Sequence, residues 1–292
     1  MSPLPLHRAV LDWYAEAQRD LPWRRPECSP WGVFVSEVML QQTPVVRVLP
    51  VWQEWMHRWP TPAALAAEPS GEAVRAWGRL GYPRRALRLH AAATAMAERH
   101  GGDVPASVVD LQALPGVGVY TAAAVAAFAF GDRVAVVDTN VRRVHARAVS
   151  GVEHAAPALT RAESDLAAEL LPEDPDVARV WNVAVMELGA LVCTARGPRC
   201  DDCPVLTTCA WVAAGRPAYD GPPRRGQAWA GTDRQVRGRL LQVLRESDTP
   251  VPAARLEQVW DQEIQRERCL DGLVSDGLVE PLADGTYRLP GG

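Results

Sequence analysis

The chain has 292 residues, a composition typical of a folded protein and a formal net charge of −4. No apolar run is long enough to cross a membrane, and no basic segment followed by an apolar stretch opens the chain, so we expect a cytoplasmic protein without an export signal. Net charge argues only weakly against a nucleic-acid partner, because basic residues can gather on one face. All 31 residues counted as lysine or arginine are arginine, so no lysine can form a Schiff base with a sugar aldehyde.

Amphipathic helices separated by turns are predicted for the first third of the chain. Apolar residues at helical spacing predict helices over 6–19, 31–40, 45–59 and 84–100. Two more helices are predicted between the last two of these, with breaks at 60–62, 69–71 and 81–83. The segment 21–26 is predicted to be a turn that exposes an aromatic ring, Trp23, beside arginines. Arg84, Arg85 and Arg88 are expected on the exposed side of their helix.

An acidic side chain interrupts the second predicted helix. Glu37 lies within residues 33–40, which are otherwise almost entirely apolar. A carboxylate in such surroundings is costly unless it is paired or functional. Either Glu37 has a chemical role, or it lies with Gln41 on the one polar stripe of the helix.

Residues 114–121, LPGVGVYT, separate a short predicted helix at 107–111 from an almost wholly apolar helix that ends at Phe130. One proline and two glycines suit a tight turn whose backbone can approach another molecule closely. The free N–H groups at the start of the second helix would suit a phosphate. The alternative is an ordinary glycine-rich turn between packed helices.

A second acidic residue of interest follows the apolar segment 134–137. Asp138 is well placed as the N-cap of a helix predicted from Val141, and a capping aspartate can also face a cavity. Further helices are predicted over 162–171 and 177–191. The chain up to this point is therefore predicted to be all-α, with short connections.

Four of the six cysteines form a cluster with the spacing Cys193-x6-Cys200-x2-Cys203-x5-Cys209. Disulfide frameworks are rare in cytosolic proteins, so four closely spaced thiolates predict a metal site, either zinc or an iron–sulfur cluster. Only one CxxC pair occurs, which favours iron–sulfur. Arg196 and Arg199 in the intervening loop either meet phosphates or are simply solvated.

The C-terminal part of the chain has a different pattern. Residues 215–231 are rich in proline, glycine and arginine and are predicted to be a linker. Helices are then predicted over 236–245, 252–260 and 262–276, followed by two short strands flanking Ala283-Asp284-Gly285. This order is typical of a winged-helix module, and the alternative is a small helical cap with no ligand of its own.

Three motifs together resemble the helix-hairpin-helix DNA glycosylases: LPGVG at 114–118, SEVMLQQT at 36–43, and Asp138-x-Asn140. With the four cysteines, the chain resembles the MutY-type adenine DNA glycosylases from about Leu11 to Cys209. The resemblance implies an all-α, two-domain body with the active site between the domains. It implies a six-helix barrel domain at 20–133 with the helix-hairpin-helix, an iron–sulfur domain at 1–19 and 134–214 holding a [4Fe-4S] cluster, a linker at 215–231, and a winged-helix-like α+β module at 232–292.

The function implied by the resemblance is that of a monofunctional base excision repair glycosylase, which hydrolyses the N-glycosidic bond of adenine mispaired with 8-oxoguanine or guanine. Glu37 would protonate the base, while Asp138, with Asn140 beside it, would stabilise the positive charge on the sugar. Tyr120 stands where strand-cutting relatives carry lysine. The remaining matched positions are Arg19, Trp23, Arg24 and Leu40 for adenine, Gln42, Thr43 and Tyr82 for the duplex near the opposite base, Gly116 and Gly118 for a phosphate, and Cys193, Cys200, Cys203 and Cys209 for the cluster.

The chain also departs from this family. Val183 stands where many relatives have glutamine or glutamate, and Pro83 stands where many have a second tyrosine. The short C-terminal region does not resemble the MutT-like domain of well-studied relatives. Two alternatives therefore stay open: a glycosylase of this scaffold acting on another base, or a non-catalytic iron–sulfur DNA-binding sensor. In each case the expected partner is double-stranded DNA, bound by a monomer on the nucleoid.

Overall fold

The computed structural model describes residues 3–221 and 229–291, so residues 222–228 of the predicted linker lie outside the described residues. Within them no helix is both long enough and apolar enough to span a membrane. The α-helices, numbered in chain order, are α1 (Pro3–Ala17), α2 (Pro30–Leu40), α3 (Val45–Arg58), α4 (Pro62–Ala66), α5 (Ser70–Trp77), α6 (Arg84–Arg99), α7 (Val108–Gln112), α8 (Val119–Phe130), α9 (Thr139–Ala148), α10 (Arg161–Glu169), α11 (Pro175–Leu191), α12 (Ala210–Ala213), α13 (Asp233–Arg245), α14 (Ala253–Glu257) and α15 (Glu263–Ser275).

The mainly helical fold with a small C-terminal α+β module is confirmed. Two expectations about exposure are wrong. Trp23 lies in a short 3-10 turn with its large apolar ring buried at 6% exposure. Arg85 is also buried at 6% exposure, because its guanidinium donates hydrogen bonds to oxygens of its own unit rather than to solvent.

The described residues divide into two compact units, and the domain boundaries expected from the sequence stay a prediction. The first unit contains residues 3–33, 106–108 and 118–221. Its core lies where α1, α9 and α11 pack together, and Val10, Val144, Trp181 and Leu188 are buried in it. Helix α11 begins at a strong local signal, since the Asp174 side chain accepts hydrogen bonds from the N–H groups of residues 176 and 177.

The second unit contains residues 34–105, 109–117 and 229–291. Its largest core side chains are tryptophans, which pack edge to face: the ring centroids of Trp55 and Trp59 lie 4.8 Å apart, and those of Trp55 and Trp77 lie 5.7 Å apart. The indole N–H of Trp55 donates to the carbonyl of Ala76, so the polar edge of this buried ring is satisfied.

The C-terminal module belongs to this second unit. Three short strands, β1 (Val251–Pro252), β2 (Glu280–Pro281) and β3 (Thr286–Arg288), form an antiparallel sheet in the order β1-β3-β2 beside α13 to α15. The module docks on α5 through backbone contacts. The N–H of Gly71 donates to the carbonyl of Pro290 at 2.7 Å, and Nε of Arg245 donates to the carbonyl of Val74 at 2.9 Å.

Candidate functional site

Asp138 lies at the start of α9 and caps that helix. Its Oδ1 accepts a hydrogen bond from the N–H of Val141 at 2.7 Å, and its Oδ2 accepts one from Nδ2 of Asn140 at 2.7 Å. Arg143 in turn donates to Oδ1 of Asn140 at 2.7 Å. Burial raises the pKa of Asp138, although these two hydrogen bonds and the charge of Arg143 act in the opposite direction. The structure thus joins the predicted pair Asp138 and Asn140 in one hydrogen-bonded group.

Helix α11 fixes the chain on both sides of Asp138. The buried side chain of Asn182 accepts from the N–H of Val136 at 3.0 Å and donates to the carbonyl of Val134 at 2.9 Å. About two turns later on the same helix, Gly189 lets Asn140 approach closely, because a Cβ at this position would lie 2.6 Å from Cβ of Asn140. Asn182 and Gly189 are supporting residues that sequence reasoning missed.

Tyr120 is half-buried near the start of α8. It packs with Ala123, Ala124 and Val136 in a small apolar cluster of the first unit. Val136 precedes Asp138 by two residues. Tyr120, at the position where strand-cutting relatives carry lysine, therefore lies against the segment that leads to Asp138.

A buried carboxylate on α11 brings two predicted adenine-binding arginines together. Oε1 of Glu187 accepts from Nε of Arg19 at 2.6 Å, and Oε2 accepts from Nη2 of Arg19 at 2.7 Å and from Nη2 of Arg24 at 2.8 Å. Burial by itself would raise the pKa of Glu187, but these hydrogen bonds and the two positive charges outweigh it and lower the pKa to about 2. Glu187 is therefore ionised and holds both guanidinium groups in fixed orientations.

Sequence reasoning overlooked Glu187, although a signal was present. Like Glu37, it is an acidic residue in an apolar helical run, here between Met186 and Leu188.

One nitrogen of Arg24 is not bound by Glu187. This buried atom, Nη1, has no hydrogen-bond partner among the described residues. A buried N–H donor without an acceptor is costly, so this atom is a candidate for contact with a ligand.

The four clustered cysteines line one cavity of the first unit, together with Arg147 and Trp211. The cavity holds about 310 Å³ of space not filled by atoms, part of it open to solvent. All four thiols are free. Within the described ranges, no three His, Cys, Asp or Glu side chains are arranged so as to hold a metal ion as they stand.

Arg147 supplies the positive charge of this cavity. The side chain is 2% exposed, and its Nη1 donates to Sγ of Cys193 at 3.5 Å and to the carbonyl of Thr194 at 2.7 Å. The thiol of Cys209 donates to the carbonyl of Arg147 at 3.5 Å. A buried guanidinium beside four sulfurs suits thiolates that carry negative charge.

The remaining predicted residues belong to the second unit, except Gly118. Glu37 is 7% exposed on α2, between the fully buried Ser36 and the buried Val38. Glu37 is therefore a buried acidic residue on a largely buried helix. Leu40, at the end of the same helix, is half-buried.

Gln42 and Tyr82 share an unusual backbone conformation. Their φ angles are +53° and +47°, a left-handed region that residues other than glycine seldom adopt. Both side chains are exposed, and Tyr82 is 48% exposed. Strained backbone of this kind is concentrated at binding and catalytic sites. Thr43, next to Gln42, is buried and donates its hydroxyl hydrogen to a backbone carbonyl.

The two glycines of the predicted hairpin differ. Gly116 has φ +77°, and a Cβ there would lie 2.7 Å from Cβ of Arg88, so the fold itself requires glycine. Gly118 is the N-cap of α8, and a Cβ there would have no atom of the described residues beyond its chain neighbours within 4 Å. Space around Gly118 is therefore open to an external group.

Comparisons with known proteins show the family and the fold of the chain. Residues 35–168 match the family model of the HhH-GPD superfamily of base excision DNA repair proteins. An adenine DNA glycosylase of Mycobacterium tuberculosis is 56% identical over 97% of this chain and 92% of that protein, and the Homo sapiens adenine DNA glycosylase is 41% identical over 69% of this chain and 38% of that protein. A solved thermostable thymine-DNA glycosylase is similar in fold, with a TM-score of 0.65, 27% identity, and coverage of 73% of this chain and 97% of the other.

Proposed function

Because this chain belongs to the MutY-type adenine DNA glycosylases of the HhH-GPD superfamily, we propose that it excises adenine mispaired with guanine or 8-oxoguanine. The reaction hydrolyses the N-glycosidic bond in double-stranded DNA, as a step of base excision repair. The observation that carries the proposal is the 56% identity to an adenine DNA glycosylase over 97% of the chain. The proposed place of action is the nucleoid in the cytoplasm, where the protein works as a monomer.

Glu37 is the general acid of this proposal. Adenine leaves poorly as an anion, and protonation of its ring by a carboxylic acid makes it a good leaving group. The 7% exposure of Glu37 supports the assignment, because a buried carboxyl group is costly unless it is paired or functional.

Asp138 is the electrostatic partner. Departure of the base leaves a sugar with oxocarbenium character, which a nearby carboxylate stabilises either through its charge or through a transient bond to the anomeric carbon. Both oxygens of Asp138 accept hydrogen bonds, as those of an ionised carboxylate do. Asn140 keeps the carboxylate oriented.

Arg19, Trp23, Arg24 and Leu40 line the adenine pocket in this proposal. Two observations support it: Glu187 holds both guanidinium groups, and Nη1 of Arg24 is buried without a partner in the described part of the chain. This N–H can donate to a ring nitrogen of the flipped base, and its desolvation is then compensated.

Gln42 and Tyr82 fill the stack that the flipped adenine vacates, and Thr43 contacts the opposite base. Their left-handed backbone supports this role, since it holds two exposed side chains in fixed directions. The backbone N–H groups near Gly116 and Gly118 bind a phosphate at the start of α8. The open space around Gly118 leaves room for that phosphate.

Cys193, Cys200, Cys203 and Cys209 hold a [4Fe-4S] cluster in this proposal. The donor set fits, since four free thiols and a buried arginine line one cavity. When bound, the cluster cross-links the loop between Cys193 and Cys209 and stabilises it.

Tyr120 and the absence of lysine from the sequence support a monofunctional enzyme. A lyase step requires an amine that forms a Schiff base with the sugar, and the phenol of Tyr120 cannot supply one. The product is an intact strand with an abasic site.

A second candidate is removal of a different base by the same site. Val183 favours it, because the side chain cannot donate or accept the hydrogen bond that glutamine or glutamate offers in many relatives. The similarity to a thymine-DNA glycosylase makes thymine the base to test first.

One experiment separates these candidates: single-turnover cleavage, after alkali treatment, of duplexes with A opposite 8-oxoguanine, A opposite G, and T or U opposite G. We expect breaks at adenine in the first two duplexes and no break in the others. Breaks at thymine or uracil with adenine untouched would establish the second candidate. Binding to every duplex without product would instead leave a non-catalytic sensor.

A further inference from the structure

Two short loops of the second unit carry the strained residues Gln42 and Tyr82. The first loop, 41–44, follows α2, and the second, 78–83, precedes α6. Left-handed backbone at a residue with a Cβ persists only where the surrounding structure holds it. Something in the fold must therefore keep both loops in place.

The side chain of Arg85 contacts both of them. Its Nη1 donates to the carbonyl of Gln41 at 2.5 Å, and its Nη2 donates to Oγ1 of Thr43 at 2.9 Å and to the carbonyl of Gly81 at 3.1 Å. Each strained residue thus has an immediate neighbour bonded to the same guanidinium.

Arg85 also binds the end of α2. Nη1 donates to the carbonyls of Val38 and Met39, at 2.9 and 3.1 Å, which belong to the last turn of that helix. A cation is favourable there because the carbonyls of a last turn lack helical partners. The last turn follows directly on Glu37, so the same guanidinium holds the segment that carries the proposed general acid.

The hydrogen-bond acceptors around the guanidinium of Arg85 are neutral oxygens. No acceptor of its side chain in the described residues is a carboxylate, and its guanidinium carbon lies 5.1 Å from the ring centroid of Trp77 and 5.6 Å from that of Tyr82. Burial lowers the pKa of Arg85 to about 10, so it remains charged at neutral pH. Neutral oxygens accept from both terminal nitrogens of this planar fork, an arrangement that the single ammonium of a lysine could not reproduce.

We propose that Arg85 is a positioning residue that holds the loops of Gln42 and Tyr82 as one preformed wedge for entry into the DNA duplex. The inference rests on the proposed function, since it takes these two residues as the groups that fill the vacated stack. It adds that their two loops act as a unit and names the side chain that couples them. A residue with a purely structural role would stabilise the fold without coupling the two.

The test is a double-mutant cycle on single-turnover excision of adenine opposite 8-oxoguanine. Arg85→Lys keeps the charge but loses the fork, and we expect a rate reduction of about 10- to 100-fold, as for a misplaced catalytic constellation. In a Gln42→Ala/Tyr82→Ala background, the same substitution should change the rate by less than about 2-fold, because the wedge is already absent. An equal loss in both backgrounds would overturn the proposal.

A spectroscopic readout accompanies the cycle. With 2-aminopurine beside the base opposite adenine, the fluorescence rise on binding should be lost in Arg85→Lys to the level of Tyr82→Ala. The matched control is Arg245→Lys. Burial lowers the pKa of Arg245 to about 10, as it does for Arg85, and Arg245 also donates to a backbone carbonyl, that of Val74, but to neither loop. We expect it to lower the unfolding midpoint while the fluorescence rise and the rate stay unchanged.

Two further arms keep the outcomes distinct. If Arg85→Lys does not fold, Thr43→Val removes one acceptor of Arg85 and should lose fluorescence, whereas Arg245→Lys, which lies outside both loops, should retain it. Retained fluorescence in Thr43→Val would count against the proposal. If the wild-type protein removes no adenine, the proposed function fails, but the fluorescence arms still test whether Arg85 controls the wedge.

Discussion

Asp138 combines two roles at one position, since it caps α9 and is the proposed electrostatic partner of the sugar. The two roles can be separated, because asparagine caps a helix about as well as aspartate but carries no charge. Nδ2 of Asn140 and the N–H of Val141 both donate to the side chain of Asp138. An asparagine at position 138 can accept one of these two hydrogen bonds through its single side-chain oxygen.

The substitution Asp138→Asn should therefore abolish excision and leave stability nearly unchanged. We expect a rate loss of at least about 1,000-fold for removal of an essential charge, with a change of at most about 0.5 kcal/mol in the free energy of unfolding. Single-turnover kinetics and urea unfolding check the two expectations. The residue would serve only as a helix cap if Asp138→Asn strongly destabilised the protein and reduced activity only in proportion to the loss of folded protein.

The carboxylate of Glu187 makes a contribution to stability that depends on pH. Its pKa falls from 4.5 to about 2 on folding, so the ionised form contributes stability that is fully present above pH 4.5 and is lost as pH falls toward 2. The side chain of Glu187 is 1% exposed, whereas that of Arg19 is 35% exposed, so solvent screens part of this interaction.

The substitution Glu187→Gln should lower the free energy of unfolding at pH 7 by about 1.5–3 kcal/mol, since hydrogen bonds to a buried charge are lost. The difference between wild type and variant should shrink as pH falls from 5 to 3. Urea unfolding at several pH values measures it. A difference that stays constant over this range would contradict the assigned pKa.

At the scale of elements, the C-terminal module meets α5 through a very close approach. Gly71 permits it, because an added Cβ would lie 2.6 Å from the carbonyl oxygen of Pro290 and 2.9 Å from Cβ of Leu289. Arg75 reinforces this contact by donating to the carbonyl of Ser247 at 3.0 Å. The module is thus anchored to the helical body at both its beginning and its end.

Gly71→Ala should consequently destabilise the protein by about 1–3 kcal/mol through overpacking. The matched control is Gly238→Ala on α13, where an added Cβ meets no atom from outside its own helical turn within 4 Å in the part of the chain that the structure describes. Replacement of a helical glycine there should stabilise the protein by about 0.5–1 kcal/mol. Thermal unfolding of both variants measures the pair. Equal effects of the two substitutions would show that close docking at Gly71 does not matter.

At the scale of the whole molecule, the chemistry is limited by what the chain lacks. All of its non-histidine cations are arginine, whose guanidinium stays protonated and does not form a Schiff base with an abasic sugar. Without lysine, the permanently charged side-chain contacts with the DNA backbone must come from arginine.

Borohydride should therefore trap no covalent complex with DNA containing A opposite 8-oxoguanine, and the strand should remain intact until alkali is added. Gel electrophoresis of the reaction with and without borohydride measures both. Trapping at substantial levels that Asp138→Asn abolishes would contradict a monofunctional mechanism.

The sequence by itself determined those features that depend on residues close together in the chain. Helical spacing and proline or glycine breaks predicted most helices, and the N-cap at Asp138 was placed correctly, because such features depend on neighbouring residues. Tertiary structure alone decided which polar groups meet. Glu187 binds Arg19 from 168 residues away, and Arg85 is buried where it binds the carbonyl of Gln41, 44 residues away, together with that of the nearby Gly81. Burial and partnership of a charged side chain depend on such long-range packing, which a local pattern cannot encode.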